Sequence, residues 1–203
     1  MSNGSTASFH SRFNRVLAII VWVLCVGATT AVIVANDARN LSLLLFVALA
    51  ALLAWVGLWR VAITIDDDLI EVRNAFSTIV VPWAALIQVD TKFALTLVTP
   101  HGSYTSTAAP APSRLTLLLS RRDAAAVPAG VAVEGRLRPG DIPSTDSGAA
   151  AILVRRRWQQ LLDEGRIELG VADRTPVLRH WHWTTIILSA ALLVAGVVIL
   201  ATT

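Results

Sequence analysis

The sequence predicts a protein of membrane-spanning α-helices that carries a mostly β domain, an antiparallel meander or barrel with an amphipathic helix C-terminal to it. Three observations predict this class. Three stretches of about 20 residues carry no charge, and that is the length of helix that crosses a hydrocarbon core. Between the second and third of them, short β-branched and aromatic runs recur at roughly 8–10-residue spacing with turn residues between. Nearly all the charge lies in that middle region. The chain has 203 residues, 55% of them hydrophobic and 15% charged, which is too apolar for an ordinary soluble domain with about a quarter of its residues charged. A net charge of +3 is too small for the dense basic face that nucleic acid requires, so no nucleic-acid partner is expected. Cys25 is the single cysteine and has no internal partner for a disulfide.

Residues 1–15 form an N-terminal tail, followed by a helical hairpin at 16–59. Its first span is Val16–Ala35 (VLAIIVWVLCVGATTAVIVA) and its second is Leu41–Trp59 (LSLLLFVALAALLAWVGLW), joined by the short loop NDARN. The first run is longer than the apolar region of a secretory signal, and no clean A-x-A site precedes a mature domain, so it is read as a span. The third span is 184–203 (TTIILSAALLVAGVVILATT). No Asp, Glu, His, Lys or Arg lies inside any span, which argues against a transporter, pump or intramembrane protease. Small residues four apart, Gly27 with Ala31 and Ala50 with Ala54, would allow helices to approach closely. Arg12 and Arg15 precede the first span, Arg60 follows the second, and Arg174 and Arg179 precede the third. The positive-inside rule then places the N-terminus and the middle region in the cytoplasm and the C-terminus outside, in the cell (inner) membrane. Trp55, Trp59, Trp181 and Trp183 fall at the cytoplasmic span ends as interfacial anchors, whereas Trp22 lies within a span and packs or meets lipid.

Residues 60–120 read as the β domain. VAITI, LIEVR, TIVVP, ALIQVDT, ALTLV and SYTST alternate with turns at DDD, NAFS and TPHG. A meander of this kind closes into a barrel or forms two packed sheets. Pro82 has no N–H for a ladder and ends its strand. Trp83 then opens a corner, WAAL, and plugs the core. RLTLLLS at 114–120 is a further strand or a short helix, with strand favoured. Residues 121–148, rich in Pro, Gly and Ala, form a long loop. Residues 149–182 hold an amphipathic helix, ended by Gly165, and a juxtamembrane segment. On that helix Val154, Trp158, Leu161 and Leu162 share a face, and Arg155, Arg156, Gln159 and Gln160 point away.

The chemistry is sparse. No phosphate-binding Gly-rich loop, nucleophile elbow or HExxH motif is present, so no catalytic residue, cofactor or metal site is assigned. His180 and His182 flank Trp181 without companion ligands, and the DDD triplet lacks the spacing of a calcium loop. The remaining candidates are basic. Arg121, Arg122, Arg136, Arg138, Arg155, Arg156 and Arg157 would dock on an anionic leaflet or on a partner, each exposed cation contributing about 1 kcal/mol there.

The stretch ITIDDDLIEVRNAFSTIVVPWAALIQVDTKFALTLVTPHGSYT resembles the bacterial pleckstrin-homology-like (PH-like) domains of actinobacterial membrane-anchored proteins. Ile70, Val72, Asn74, Thr78, Val81, Pro82, Trp83, Leu86, Val89 and Gly102 carry the resemblance, and Leu69 stands where the pattern has Gly. It covers roughly residues 14–110, including the two preceding spans. It implies a PH-like fold and no shared catalytic motif. A phosphoinositide site in the loop between the first two strands of such domains is basic, whereas here the matching turn, after VAITI, is DDD, the wrong sign for phosphate. The expected function is a non-catalytic, membrane-tethered binding module that recognises a protein partner or an anionic lipid surface at the inner membrane. A structural subunit of a membrane complex is the alternative, and a membrane-bound enzyme has the least support.

Overall fold

A computed structural model describes residues 6–35, 41–111, 142–143, 145–168 and 170–202. The predicted strand or helix at 114–120, most of the 121–148 loop, and Arg121, Arg122, Arg136 and Arg138 lie outside the described residues. The chain divides into two compact units. One is 1–11, 62–74 and 78–179, and the other is 12–61, 75–77 and 180–203.

The first unit holds the strands, except that Ser77, His180 and Trp181, at strand ends, fall in the second. In chain order they are β1 (Ala7–Phe9), β2 (Ala62–Ile65), β3 (Leu69–Arg73), β4 (Ser77–Pro82), β5 (Gln88–Asp90), β6 (Ala94–Thr99), β7 (Gly102–Pro110) and β8 (Leu178–Trp181). They form one five-stranded sheet, β1-β2-β3-β4-β8, and one three-stranded sheet, β5-β6-β7. The consecutive pairs β1–β2, β2–β3, β3–β4, β5–β6 and β6–β7 are antiparallel. Of the two sequence alternatives, barrel or paired sheets, the chain adopts the second, a PH-like arrangement with no closed barrel. The reason lies at the Pro82–Trp83 corner. Pro82 ends β4, and Trp83–Ala85 forms a single 3-10 turn before β5, so the ladder breaks between β4 and β5.

Period-two alternation sets which side chains enter the core. In β3, Ile70 and Val72 are buried while Leu69, Glu71 and Arg73 are partly exposed. In β4, Ser77, Ile79 and Val81 are buried. Ile63, Ile70, Val72 and Val81 from the first sheet, and Leu95 and Leu97 from the second, form the centre of the core.

The amphipathic helix α3 (Asp146–Asp163) covers the second sheet, packing on β5, β6 and β7. Thr145 caps it, its hydroxyl accepting the Gly148 N–H at 3.1 Å, and this sets the start three residues before the expected one. Gly165, at φ 65°, stops it. Gly148, Ala150, Ala151, Val154 and Leu161 are its buried residues facing the core, with Ser147. Trp158 and Leu162 are only half-buried. Arg155 does not point away as expected. It is half-buried and donates to the Val89 carbonyl on β5 at 3.0 Å. A long side chain on the flank of a small-residue face has room to lie flat along the sheet.

The N-terminal tail is not a tail throughout. Ala7, Ser8 and Phe9 pair with Ile65, Thr64 and Ile63, which extends the five-stranded sheet by one strand. Thr6 donates its hydroxyl to Asp66, and Ser11 donates to Asp146 at the start of α3.

The second unit holds α1 (Arg12–Ala35), α2 (Leu41–Ala54), which runs on into a π-helical turn at Trp55–Trp59, and α4 (Trp183–Thr202). α1, α4 and Ser42–Trp59 are each long and apolar enough to cross a membrane. α2 packs against both others. Two donors on α1 bond backbone carbonyls one turn apart on α2: Trp22 Nε1 to Ala51 at 3.2 Å, and Cys25 Sγ to Val47 at 3.7 Å. Such bonds hold helices together where lipid supplies no hydrophobic drive between them. Gly196 of α4 lies against α2, where an added Cβ would be 3.1 Å from the Phe46 ring. Gly27 has nothing within 4 Å, so this glycine is not a point of close helix contact. Gly196→Leu is therefore expected to lower the thermal midpoint of the detergent-solubilised protein by overpacking, at a cost of about 1–3 kcal/mol. Gly27→Leu in the same assay should leave the midpoint near that of the parent.

Candidate functional site

The site grows from the turn between β2 and β3. Asp66, Asp67 and Asp68 form it, closed by the Asp66 N–H donating to the Leu69 carbonyl at 3.0 Å. Trp83 is 3% exposed and its indole Nε1 donates to the Asp66 carbonyl at 2.9 Å. At the Pro82–Trp83 corner the ring is buried while its N–H holds the acidic turn. Behind the turn stand two arginines from distant sequence. Arg157 of α3 donates to one Asp67 carboxylate oxygen. Arg166, just past the helix end, reaches the other at 3.3 Å and Asp68 at 3.8 Å. Gln160 steadies Arg157, accepting from its Nη1 at 2.8 Å.

This clasp explains the acidic turn. Three adjacent carboxylates repel, and the two guanidiniums offset that repulsion while fixing the C-terminal end of α3 to the first sheet. Desolvation pushes the Asp67 carboxyl up, but the hydrogen bonds and charges of Arg157 and Arg166 together outweigh it and hold the group below the ordinary carboxylate value. Beside the clasp is a shallow cleft of about 120 Å³ lined by Asp67, Asp68, Pro82, Trp83, Ala84, Arg166 and Ile167. Its ionisable walls are already paired with one another, and it has no nucleophile and no histidine. Among the described residues no cluster of His, Cys, Asp or Glu is arranged to hold a metal ion.

The basic candidates separate by environment. Arg157 is spent on Asp67 and Arg155 on the Val89 carbonyl, and Arg156 between them is exposed. The three consecutive arginines thus face three ways around the helix, as a 100° step per residue requires, and they do not form one basic patch. The four tryptophans at the helix ends, Trp55, Trp59, Trp181 and Trp183, are exposed, Trp183 the most at 64%. Trp59 stacks on Trp22 at 5.2 Å with the Arg15 guanidinium 5.5 Å from its ring, and Arg60 lies 5.7 Å from the Trp55 ring. Trp181 and Trp183 lie 6.4 Å apart.

Sequence reasoning missed three contacts. Asn74 accepts the Thr107 N–H at 2.9 Å and donates to the Thr105 carbonyl at 2.8 Å, tying the β3–β4 turn to β7. Arg166 completes the clasp. His101 Nε2 meets the Thr175 carbonyl at 3.0 Å and is not simply solvated. The only sequence signal for any of these was the asparagine in the turn, a residue type that hydrogen-bonds local backbone.

Residues 60–141 match a family model described as the bacterial PH domain. The matched stretch begins at the approach to β2 and contains β2 to β7, while β1, α3 and β8 lie outside it. No curated protein and no solved structure matches the chain.

Asp67 has a measurable acid signature. Its native pKa lies below its unfolded value of about 3.9, so its contribution to stability is complete above that value and disappears as pH falls through the native pKa. Asp67→Asn should lower the unfolding midpoint at neutral pH, and the gap to the parent should begin to shrink below about pH 4 and close as pH falls through the lowered native pKa. An equal gap at neutral and acid pH would show that the clasp is not electrostatic.

Proposed function

We propose that this chain, which carries a bacterial PH domain match at residues 60–141, is a non-catalytic binding module tethered to the inner membrane, where it engages a protein partner or an anionic lipid surface. PH-like domains are in general binding modules without catalysis, and the clasp and its cleft are built from groups that satisfy one another.

The observation that carries the tethered reading is connectivity. Two residues separate β1 from α1, two separate the Trp55–Trp59 turn from β2, and one separates β8 from α4. Each of the three apolar helices is thus joined directly to a strand of the same sheet. A sheet lies on one side of a bilayer, so the start of α1, the end of α2 with its π turn, and the start of α4 share that side, as three spans require. Arginines at these junctions, Arg12, Arg15, Arg60 and Arg179, favour the cytoplasmic side. Trp55, Trp59, Trp181 and Trp183 act as interfacial anchors there, and Arg156 is the outward-facing cation of the helix.

The reading is tested with a photo-crosslinking amino acid placed at Arg156, and separately at other exposed positions of the strand unit, in living cells. A discrete adduct with lipid or with one protein, formed on the cytoplasmic side, is expected. A surface that yields neither lipid nor protein adducts would discard the binding-module reading. Sidedness is read with Glu164→Cys in a Cys25→Ser background, which should react with an impermeant maleimide only after lysis.

A further inference from the structure

Among the described residues the most exposed large apolar side chain is not on any of the three apolar helices. It is Phe93, 79% exposed, in the tip between β5 and β6. A single exposed apolar side chain is ordinary on a water-facing surface; what sets Phe93 apart is that ordered backbone presents the ring beside a cation.

The tip is ordered, not loose. Thr91 is 1% exposed, and its N–H is taken by the Asp90 carboxylate at 2.8 Å. The Phe93 carbonyl accepts the Ala111 N–H at 2.9 Å, and Ala94 pairs with Pro110 on β7. Backbone bonds on both sides of the ring therefore hold it out in solvent. Lys92 places its ammonium 5.2 Å from the ring centroid.

We propose that the Lys92–Phe93 tip is a bilayer-dipping contact, with the ring entering the boundary between headgroups and acyl chains and the ammonium among the lipid phosphates. The pair has the chemistry of that boundary, an apolar body beside a cation. Asp90, the nearest acid in sequence, has a carboxylate oxygen turned inward on the Thr91 N–H, and Lys92 is the cation beside the ring. The occupant is a bilayer because the unit bearing the tip is joined to three membrane-length helices through linkers of one or two residues. A compact domain of about 100 residues has a radius of gyration of about 13 Å, so a tip on such a tether meets lipid at high effective concentration, and one ring suffices where a free protein would need more. This contact rests on the membrane-tethered reading above and gives it a site.

The test uses the full chain in nanodiscs, with Cys25→Ser throughout and a fluorescent NBD label at one cysteine in turn: Phe93→Cys for the tip, Gln159→Cys for an exposed face of α3, and Val26→Cys for α1. Nanodiscs contain phosphatidylcholine alone or with phosphatidylglycerol, and lipids spin-labelled at shallow or deep positions. The expected result at 93 is blue-shifted emission quenched by the shallow spin label, stronger with phosphatidylglycerol and weakened by Lys92→Glu. The label at 159 should stay aqueous and the label at 26 should be quenched by the deep spin label. Aqueous, unquenched emission at 93 with normal deep quenching at 26 overturns the tip contact alone. Blue-shifted emission at 93 that no spin label quenches also overturns it, because the ring is then covered by protein. Loss of deep quenching at 26 overturns the tethered reading itself.

Discussion

Much of this molecule follows from one constraint: strands that share a sheet must share a side. β1, β2 and β8 belong to one sheet, and each is joined within two residues to an apolar helix. Hydrogen bonding between strands thus does work usually left to charge bias. On the membrane-spanning reading proposed above, a first helix entering from the opposite face would cost β1 its pairs with β2. The arginines at the junctions and the strand register then argue for the same topology by independent physics.

The second organising feature is how the strand unit disposes of its charge. An acidic turn in the place where a phosphate-binding loop would be basic looks, in sequence alone, like a surface that repels lipid. In the fold it is an internal joint. Asp67 takes two guanidiniums, Trp83 holds the backbone of the same turn through its indole N–H, and α3 is thereby tied to the sheet it does not cover. Of the clustered arginines that would read as a docking patch, Arg155 and Arg157 are structural. Their neighbour Arg156 points outward.

How much of this was legible in the sequence depends on the range of the interaction. The apolar helices, the alternation of β3 and β4, the corner at Pro82–Trp83 and the helix stop at Gly165 are local consequences of period, missing N–H groups and positive φ, and they read directly. What did not read are contacts between residues far apart in the chain. Nothing near Asp67 announces Arg157 or Arg166, and nothing near Phe9 announces Ile63. β1 is three residues long, its side chains are mostly exposed, and its pattern is indistinguishable from that of a polar tail. The face of α3 was misjudged because alanine and glycine score as weakly apolar, yet their small size is what brings the helix against the sheet.

The position of β1 also bears on how the protein is made. Its partner Ile65 lies 58 positions beyond Ala7 in the chain, and both of the first two apolar helices fall between them. On the ribosome, β1 emerges long before β2 exists, so it has no sheet to join. The pairing closes a large loop for only three residues of ladder, an unfavourable trade early in folding. It becomes favourable when the helical hairpin brings the two ends of that loop together. Until that pairing forms, β2 presents an open edge of the kind that invites wrong pairing.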